Sequence, residues 1–228
     1  MTPLPFDAVL FDLDGVLTST AALHAACWKR TFDDVLAAYG QEPFDIEHDY
    51  LEHVDGKMRA DGVRDFLDAR RIHVTPDMVR VIADRKQALV EAALTRGGVE
   101  AFDGSVRWVH HLRATGVRTA VVSSSANADG VLWAAGISGL FELTVDGGDI
   151  ARLGLAGKPA PDGFLEAARR LGVRPRRAVV VEDALAGVAA GRAGDFGLVI
   201  GVACTAAHRD LRSAGADVVV DDLGGLAP

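Results

Sequence analysis

The sequence predicts an α/β fold, a parallel sheet covered by helices on both faces and interrupted near its start by an all-helical insertion. From residue 99 onward, short apolar runs alternate with helical patterns. The runs are continuous and rich in β-branched residues, which is typical of strands buried on both faces of a parallel sheet. Residues 20–98 show helical patterns and no convincing strand. We therefore assign residues 1–19 and 99–228 to an α/β core domain and residues 20–98 to an inserted helical domain.

The apolar runs and their flanking residues predict the individual elements. The first run, Ala8-Val-Leu-Phe11, has the same character as the later ones and is expected to be a central strand. A helical pattern over residues 161–171 starts at a proline and is followed by Gly172, residues that often mark helix ends. The expected strands cover residues 8–11, 117–122, 141–145, 178–182, 197–202 and 217–220, and the insertion helices cover residues 21–39, 61–70 and 78–96.

Composition narrows the classes of function. The chain has 228 residues, 49% of them hydrophobic and 25% charged, which is ordinary for a globular protein and excludes a disordered or fibrous one. Its 24 basic and 32 acidic residues give a net charge of -8, which argues against binding to nucleic acids or anionic membranes. The two cysteines, Cys27 and Cys204, form no metal-binding cluster, and no apolar stretch is long enough to cross a membrane. We therefore expect a cytoplasmic protein.

Polar residues capable of catalysis follow the predicted strands. In open α/β sheets, sites form beyond the carboxyl ends of the strands, so these residues are expected to converge on one edge of the sheet. Lys158 lies in a loop that leads into a helix and brings a positive charge to the same region. The residues that follow strand ends are Asp12, Asp14, Ser123, Glu182 and Asp183.

Four carboxylates in one cleft predict a bound cation. They cannot all be ionised in a partly desolvated site without a counter-charge, and hard oxygen ligands with open positions suit Mg²⁺. The metal would also let an acidic pocket hold a phosphate. Lys158 would add a second positive charge, and the Ser123 hydroxyl, with main-chain N–H groups at the start of its helix, would donate to phosphate oxygens. This set of groups indicates phosphoryl transfer.

Asp12 and Asp14 suit two different roles in that chemistry. Because they are two residues apart, an extended backbone directs both to the same side. One carboxylate could attack phosphorus to give an aspartyl-phosphate, and the other could donate a proton to the leaving oxygen and later accept one. Gly15 would let the chain turn sharply after the second aspartate.

These residues resemble the four motifs of the haloacid dehalogenase superfamily. The matching segments are Asp12-Leu-Asp14-Gly-Val-Leu-Thr18, Ser123, Lys158-Pro159, and Glu182-Asp183 with Gly187. A second aspartate at Asp14 is similar to the phosphatase and phosphomutase members. The resemblance implies a Rossmann-like core with an inserted α-helical cap, Asp12 as nucleophile and Asp14 as acid/base. It also implies phosphate binding by Lys158 and Ser123. The implied Mg²⁺ ligands are Asp12, the Asp14 carbonyl, Glu182 and Asp183.

Within that superfamily the chain is most similar to the β-phosphoglucomutase-like branch. This resemblance implies a second phosphate site, in which Arg59 binds the non-reacting phosphate through both arms of its guanidinium. Cap closure is expected to be coupled to the placing of Asp14 through hinge residues. The implied substrate-binding residues are Thr20, His24, Arg59, Lys86, Ser125 and Asn127. The expected partner is a small phosphorylated sugar, and we expect a monomer.

Three departures from the mutase pattern bear on the substrate. Ser19 stands where an aspartate is usual, Ala126 where a lysine is usual, and residues 54–59 are more similar to a hydrolase branch of the same subfamily. The first hypothesis is a mutase that interconverts β-glucose 1-phosphate and glucose 6-phosphate through a bisphosphate. The second is a small-molecule phosphatase, in which water discharges the aspartyl-phosphate. A non-catalytic binding module is disfavoured because every motif residue is present.

Overall fold

The computed structural model describes residues 5–96, 98–204 and 208–227, and it confirms the α/β fold. Six parallel strands form one sheet in which the first strand lies at the centre, between the second and the fourth. The strands are β1 (Ala8–Phe11), β2 (Arg118–Val122), β3 (Leu143–Val145), β4 (Ala178–Glu182), β5 (Leu198–Val202) and β6 (Val218–Val220). Their order across the sheet is β3-β2-β1-β4-β5-β6. The third strand is shorter than predicted, because only three of its residues pair with β2.

The described helices flank this sheet or form the insertion. They are α1 (Ala21–Ala38), α2 (Arg59–Ala69), α3 (Pro76–Arg96), α4 (Asp103–Ala114), α5 (Ala128–Ala134), α6 (Gly147–Leu153), α7 (Asp162–Leu171), α8 (Leu185–Ala193) and α9 (His208–Ala214). A π-helical turn covers Tyr50–Val54, and 3₁₀ turns cover Ser138–Leu140, Pro175–Arg177 and Leu223–Leu226. Among the described helices, none is long and apolar enough to span a membrane.

The central strands are buried on both faces, as their continuous apolar sequences predict. Successive side chains of a strand point to opposite faces of the sheet. Leu10 and Phe11 of β1 therefore belong to two different apolar clusters, one on each face. On one of these faces, the Phe11 ring packs edge-on against Trp108 of α4, with 5.5 Å between ring centroids. This burial fixes the strands, and with them the residues that follow their carboxyl ends.

The helical insertion has a hydrophobic cluster of its own. Its centre is aromatic: Phe32 of α1 lies 4.4 Å from Phe66 of α2 and 5.2 Å from Phe44, measured between ring centroids. Trp28 stacks on Phe32 at 5.0 Å. We refer to residues 20–98 as the cap.

The sheet order places two chain crossovers on opposite sides of β1. The chain moves from β1 to β2 in one direction, whereas β4 pairs with the other edge of β1. Ligands of open α/β sheets bind at such a point, outside the carboxyl ends of the strands. Asp12, Ser123 and Glu182 stand at these ends, on three neighbouring strands.

Candidate active site

The floor of the site is an ion-paired triad of buried side chains. The ammonium Nζ of Lys158 lies 2.5 Å from Oδ1 of Asp12 and 2.6 Å from Oε1 of Glu182. It also donates a hydrogen bond of 3.2 Å to the carbonyl oxygen of Val122, at the end of β2. Phe164 of α7 lies beneath the ammonium, with its ring centroid 5.0 Å away. Lys158 thus connects groups at the ends of three strands.

Asp183 completes a carboxylate cluster with the dimensions of a cation site. One oxygen each of Asp12, Glu182 and Asp183 lies within 4.8 Å of the others, and all three residues are buried. The second oxygen of Glu182 accepts hydrogen bonds from the main-chain N–H groups of Asp183 and Ala184, at 3.0 and 3.1 Å. These bonds hold the Glu182 carboxylate in one orientation.

Two glycines make room for this cluster. Gly15 has φ +84°, and a Cβ on it would lie 2.0 Å from Oδ2 of Asp183. A Cβ on Gly187 of α8 would lie 1.7 Å from Oε1 of Glu182. Any side chain at either position would displace a carboxylate. Hard oxygen donors in a preformed space fit a small divalent cation such as Mg²⁺.

Burial and mutual repulsion perturb these carboxyl groups. Desolvation, together with neighbouring acids, raises the pKa of Asp12 to about 6 and that of Glu182 to about 7. The pKa of Asp183 rises well above its usual value for the same reasons. Burial alone would lower the pKa of Lys158, but the charges of Asp12 and Glu182 outweigh it and raise that pKa. Added positive charge would therefore favour the ionised carboxylates.

Asp14 faces the cap rather than the carboxylate cluster. The Thr20 hydroxyl donates a short hydrogen bond to its Oδ1, and Nε2 of His24 lies 3.5 Å from the same oxygen. Nζ of Lys86 lies 2.8 Å from Nδ1 of His24. A lysine ammonium can only donate, so Nδ1 accepts and the ring proton sits on Nε2, the ring nitrogen nearer to Asp14.

The charge states of these three groups are linked. Burial, followed by the charges of Lys86 and Arg59, lowers the pKa of His24 well below 6.5, so the imidazole is neutral. Burial lowers the pKa of Lys86 to about 8, while the ring of Trp28 lies 5.0 Å from its ammonium. Desolvation raises the pKa of Asp14. A carboxyl with a raised pKa suits an acid that must also act as a base.

The serines after β2 form the side of the cleft. Ser123 is buried, and its Oγ accepts a hydrogen bond of 3.0 Å from the Ser125 N–H. Oγ of Ser125 in turn accepts one of 3.2 Å from the Asn127 N–H. The Asn127 side chain faces the cap: its amide exchanges two hydrogen bonds, of 2.8 and 3.3 Å, with Gln87 of α3. The Asn127 side chain thus contacts the cap, and Asn127 is not among the residues that line the cleft.

The cleft brings together most of the residues that the sequence singled out. Arg59 is the first residue of α2 and enters the cleft from the cap, and burial lowers its pKa. Among the sequence candidates, the lining includes Asp12, Asp14, Ser123, Ser125 and Asp183 from the core, and His24, Arg59 and Lys86 from the cap. Thr20, Lys158 and Glu182 contact that lining through the bonds described above.

Sequence reasoning missed a second group of cap residues in the same cleft. Tyr50, Asp55, Gly56 and Lys57 line it, together with Ser124 of the core. The Asp55-Gly56 pair is a sequence signal for a turn, and Gly56 adopts φ +70°. A turn signal does not say which side chain points inward, so the sequence could not place Asp55.

Comparisons with known proteins agree with this geometry. Residues 6–195 match the family model of the haloacid dehalogenase-like hydrolases. The chain is 47% identical to a Beta-phosphoglucomutase from Mycobacterium bovis, over 96% of this chain and 90% of the relative. It resembles the crystal structure of a beta-phosphoglucomutase from Clostridium difficile, with 25% identity, a TM-score of 0.79 and coverage of 97% and 93% of the two chains.

A further solved relative carries a bound sugar phosphate. It is a variant of CbbY from Rhodobacter sphaeroides, in complex with xylulose-(1,5)bisphosphate, with 27% identity and a TM-score of 0.77. The match covers 97% of this chain and 96% of that one. The chain therefore belongs to the haloacid dehalogenase-like hydrolases and is a phosphoryl-transfer enzyme of that family.

Proposed function

We propose that this protein is a Mg²⁺-dependent β-phosphoglucomutase that works through an aspartyl-phosphate on Asp12. The observation that carries the proposal is the position of Asp12: a buried carboxylate, 2.5 Å from the Lys158 ammonium, on the floor of a cleft with Arg59 and Lys86 in its roof. The acidic groups at the floor, with the metal ion that they would hold, suit the reacting phosphate, and the basic groups in the roof suit a second one. The 47% identity to a relative of that name supports the same activity.

The floor of the cleft would bind and activate the transferring phosphate. Asp12 attacks phosphorus, while the Lys158 ammonium orients its carboxylate and balances charge on the phosphate oxygens. The Ser123 hydroxyl, at the end of β2, donates to a phosphate oxygen. The residues that would hold Mg²⁺ are Asp12, Glu182, Asp183 and the Asp14 carbonyl. When bound, the ion neutralises charge on the phosphate and the carboxylates.

Asp14 would move the proton. It donates a proton to the sugar oxygen that leaves phosphorus, and its carboxylate later accepts one from the hydroxyl that attacks the aspartyl-phosphate. Thr20 orients its Oδ1 through a hydrogen bond, and Nε2 of His24 lies 3.5 Å from the same oxygen, also on the cap side. Because both partners belong to the cap, closure of the cap would set the position of Asp14.

The roof would bind the phosphate that does not react. Arg59 offers two N–H groups to one phosphate, a geometry that a guanidinium provides and an ammonium does not. Lys86 lies on the neighbouring helix, and Ser125 is at the side of the same cleft. A bisphosphate could then reverse its orientation in the cleft and present either phosphate to Asp12.

A phosphatase is the second candidate, and one position favours it. Ala126 is exposed and provides no cation beside Ser125, where the mutase pattern has a lysine. Weaker retention of a bisphosphate would let water reach the aspartyl-phosphate before the sugar returns. The two activities share the same first step and differ in what the closed cap excludes.

Phosphorus NMR on one mixture separates these functions. The enzyme is incubated with Mg²⁺, β-glucose 1-phosphate and a trace of the glucose bisphosphate. Glucose 6-phosphate as the main product supports the mutase, whereas inorganic phosphate supports the phosphatase. The Asp12→Asn variant is the matched control and should give neither signal. No product from the wild-type enzyme would contradict the mutase and a phosphatase that acts on this sugar phosphate.

A further inference from the structure

A carboxylate of the cap lines the same cleft as two acids of the core cluster. Asp55 follows the π-helical turn Tyr50–Val54, and its N–H donates a hydrogen bond of 2.9 Å to the Tyr50 carbonyl. It is only 6% exposed and lines the cleft together with Asp12 and Asp183. Its carboxylate accepts a hydrogen bond from the buried Tyr50 hydroxyl. The side chain is thus held in place at the acidic end of the cleft.

The residue after Asp55 is docked on the residue after Asp183. A Cβ on Gly56 would lie 2.7 Å from the Cβ of Ala184, and Gly56 has φ +70°. The Ser124 hydroxyl donates a hydrogen bond of 2.7 Å to the Gly56 carbonyl. These two contacts fix the cap loop against the core on either side of the cleft. They keep Asp55 in the cleft that Asp183 also lines, as long as the loop stays docked.

The carboxylate of Asp55 shares a cleft with the core carboxylates of Asp12 and Asp183. Because Asp55 is buried, solvent does little to screen its charge from these two acids. The nearby Lys57 ammonium binds the Asp65 carboxylate and the Glu52 carbonyl. Docking the loop therefore adds a negative charge to a buried cluster that is already acidic. Such an arrangement is unfavourable without a cation and favourable with one.

We infer that Asp55 is a cap-borne residue of the metal site, which increases the affinity for Mg²⁺ when the loop is docked. The inference rests on the proposed Mg²⁺ site of Asp12, Glu182 and Asp183. Asp55 lies outside the group of oxygens within 4.8 Å of one another, so we place it in the shell around the ligands. Because of this charge, docking of the loop favours Mg²⁺ binding, and bound Mg²⁺ favours docking of the loop.

Calorimetric titration with MgCl₂ alone tests this inference without any substrate. The variants are Asp55→Asn and, as the matched control, Asp68→Asn, which removes one negative charge from the exposed surface of the cap. We expect Asp55→Asn to weaken Mg²⁺ binding by roughly 10- to 100-fold, the usual effect of removing an outer-shell partner. Asp68→Asn should bind as the wild type does. Equal affinities in all three proteins would overturn the inference.

The Gly56→Ala variant tests whether Asp55 acts through the docked loop. The added methyl group cannot fit against Ala184, so the loop is held off the core while Asp55 keeps its charge. We expect this variant to weaken Mg²⁺ binding as well, and the double variant with Asp55→Asn to lose no more than the larger single effect. If the two fold-losses in Mg²⁺ affinity instead multiply in the double variant, Asp55 does not act through the docked loop.

Thermal unfolding supplies a second readout that does not depend on the calorimeter. In EDTA, Asp55→Asn should unfold at a higher temperature than the wild type, because it removes a repulsive buried charge. Its gain in Tm on adding Mg²⁺ should be smaller than the wild-type gain. A variant with the wild-type Tm in EDTA and the wild-type gain would refute the role of Asp55.

The Asp183→Asn variant separates this inference from the proposed function. If the wild type binds Mg²⁺ and Asp183→Asn weakens binding but Asp55→Asn does not, only the inference fails. If the wild type binds no Mg²⁺, the proposed site and the inference fail together. If Asp55→Asn instead raises KM for the sugar phosphate and leaves Mg²⁺ affinity unchanged, Asp55 contacts the sugar and the inference is overturned.

Discussion

The ammonium of Lys158 lies 2.5 Å from Oδ1 of Asp12, and both side chains are buried. The same ammonium reaches Glu182 at 2.6 Å, so one cation serves two acids of the cluster. This contact holds the Asp12 carboxylate in a single position and favours its ionised form. In the proposed mechanism, the stability of the core and its chemistry would therefore depend on the same side chain.

Replacing Lys158 with methionine should be costly to stability as well as to activity. The change leaves Asp12 and Glu182 buried without their counter-charge, and breaking a buried pair in this way costs about 3–5 kcal/mol. Chemical denaturation near neutral pH measures the loss. The control is Lys29→Met, which removes a partly exposed i,i+4 pair with Asp33 and should cost about 0–1 kcal/mol. Equal losses in the two variants would contradict the account of the triad.

The metal-free protein should lose stability as the pH rises. The folded-state pKa values of Asp12, about 6, and Glu182, about 7, lie above the reference values of 3.8 and 4.5. The folded state therefore binds more protons than the unfolded state, so the stabilisation present below pH about 4 is lost between about 4 and 7. Unfolding in EDTA across that range measures the trend. Mg²⁺ should raise Tm more at pH about 7 than at about 5. A Tm that rises with pH in EDTA would contradict the predicted loss of stability.

Arg59→Ala should harm the mutase reaction more than simple hydrolysis. The guanidinium is expected to contact the non-reacting phosphate, and losing a charge-assisted contact costs about 1.5–3 kcal/mol, or roughly 10- to 100-fold in kcat/KM. An aryl phosphate lacks that second phosphate and should be little affected. Arg64→Ala is the control, because Arg64 lies on the same helix, exposed and paired with Asp61. Similar losses of Arg59→Ala on both substrates would remove the case for a second phosphate site.

Gly187→Ala should damage the cation site from a position outside the ligand set. The new Cβ would lie 1.7 Å from Oε1 of Glu182, so the carboxylate must move. We expect a loss of about 1–3 kcal/mol, as for other overpacked buried positions, together with weaker Mg²⁺ binding. Gly130→Ala on the exposed face of α5 meets no atom within 4 Å and should stabilise the protein by about 0.5–1 kcal/mol. A Gly187→Ala variant that is as stable as the wild type and binds Mg²⁺ with the same affinity would contradict the role of Gly187 in making room for Glu182.

The sequence predicted the core of the site because strand patterns determine where residues converge. Asp12, Ser123 and Glu182 follow neighbouring buried strands, so the sheet order alone brings them to one edge. The helix α7 was also predicted closely: Pro161 precedes it and Gly172, with φ +67°, ends it. These features depend on local periodicity and on terminal residues, both of which can be read from the chain.

Contacts between cap and core were not predictable in the same way. Asp55 and Tyr50 reach the cleft through an irregular loop and a π-helical turn, for which no periodic pattern exists. The pairing of Asn127 with Gln87 depends on how the cap docks, which is a long-range property. The short helix α6 was missed although Asp146 caps it by accepting a hydrogen bond of 2.9 Å from Asp149 N–H. Its Asp-Gly-Gly start is also typical of a loop.

The most direct test of the account is to trap the phosphorylated aspartate. Wild-type enzyme is mixed with Mg²⁺ and the glucose bisphosphate, quenched in acid within one turnover and reduced with borohydride, which converts an acyl phosphate into an alcohol. Peptide mass mapping should then locate the reduced side chain at position 12 and nowhere else, and the Asp12→Asn variant should be neither labelled nor active. Reduction at another residue, or none during active turnover, would contradict an aspartyl-phosphate on Asp12.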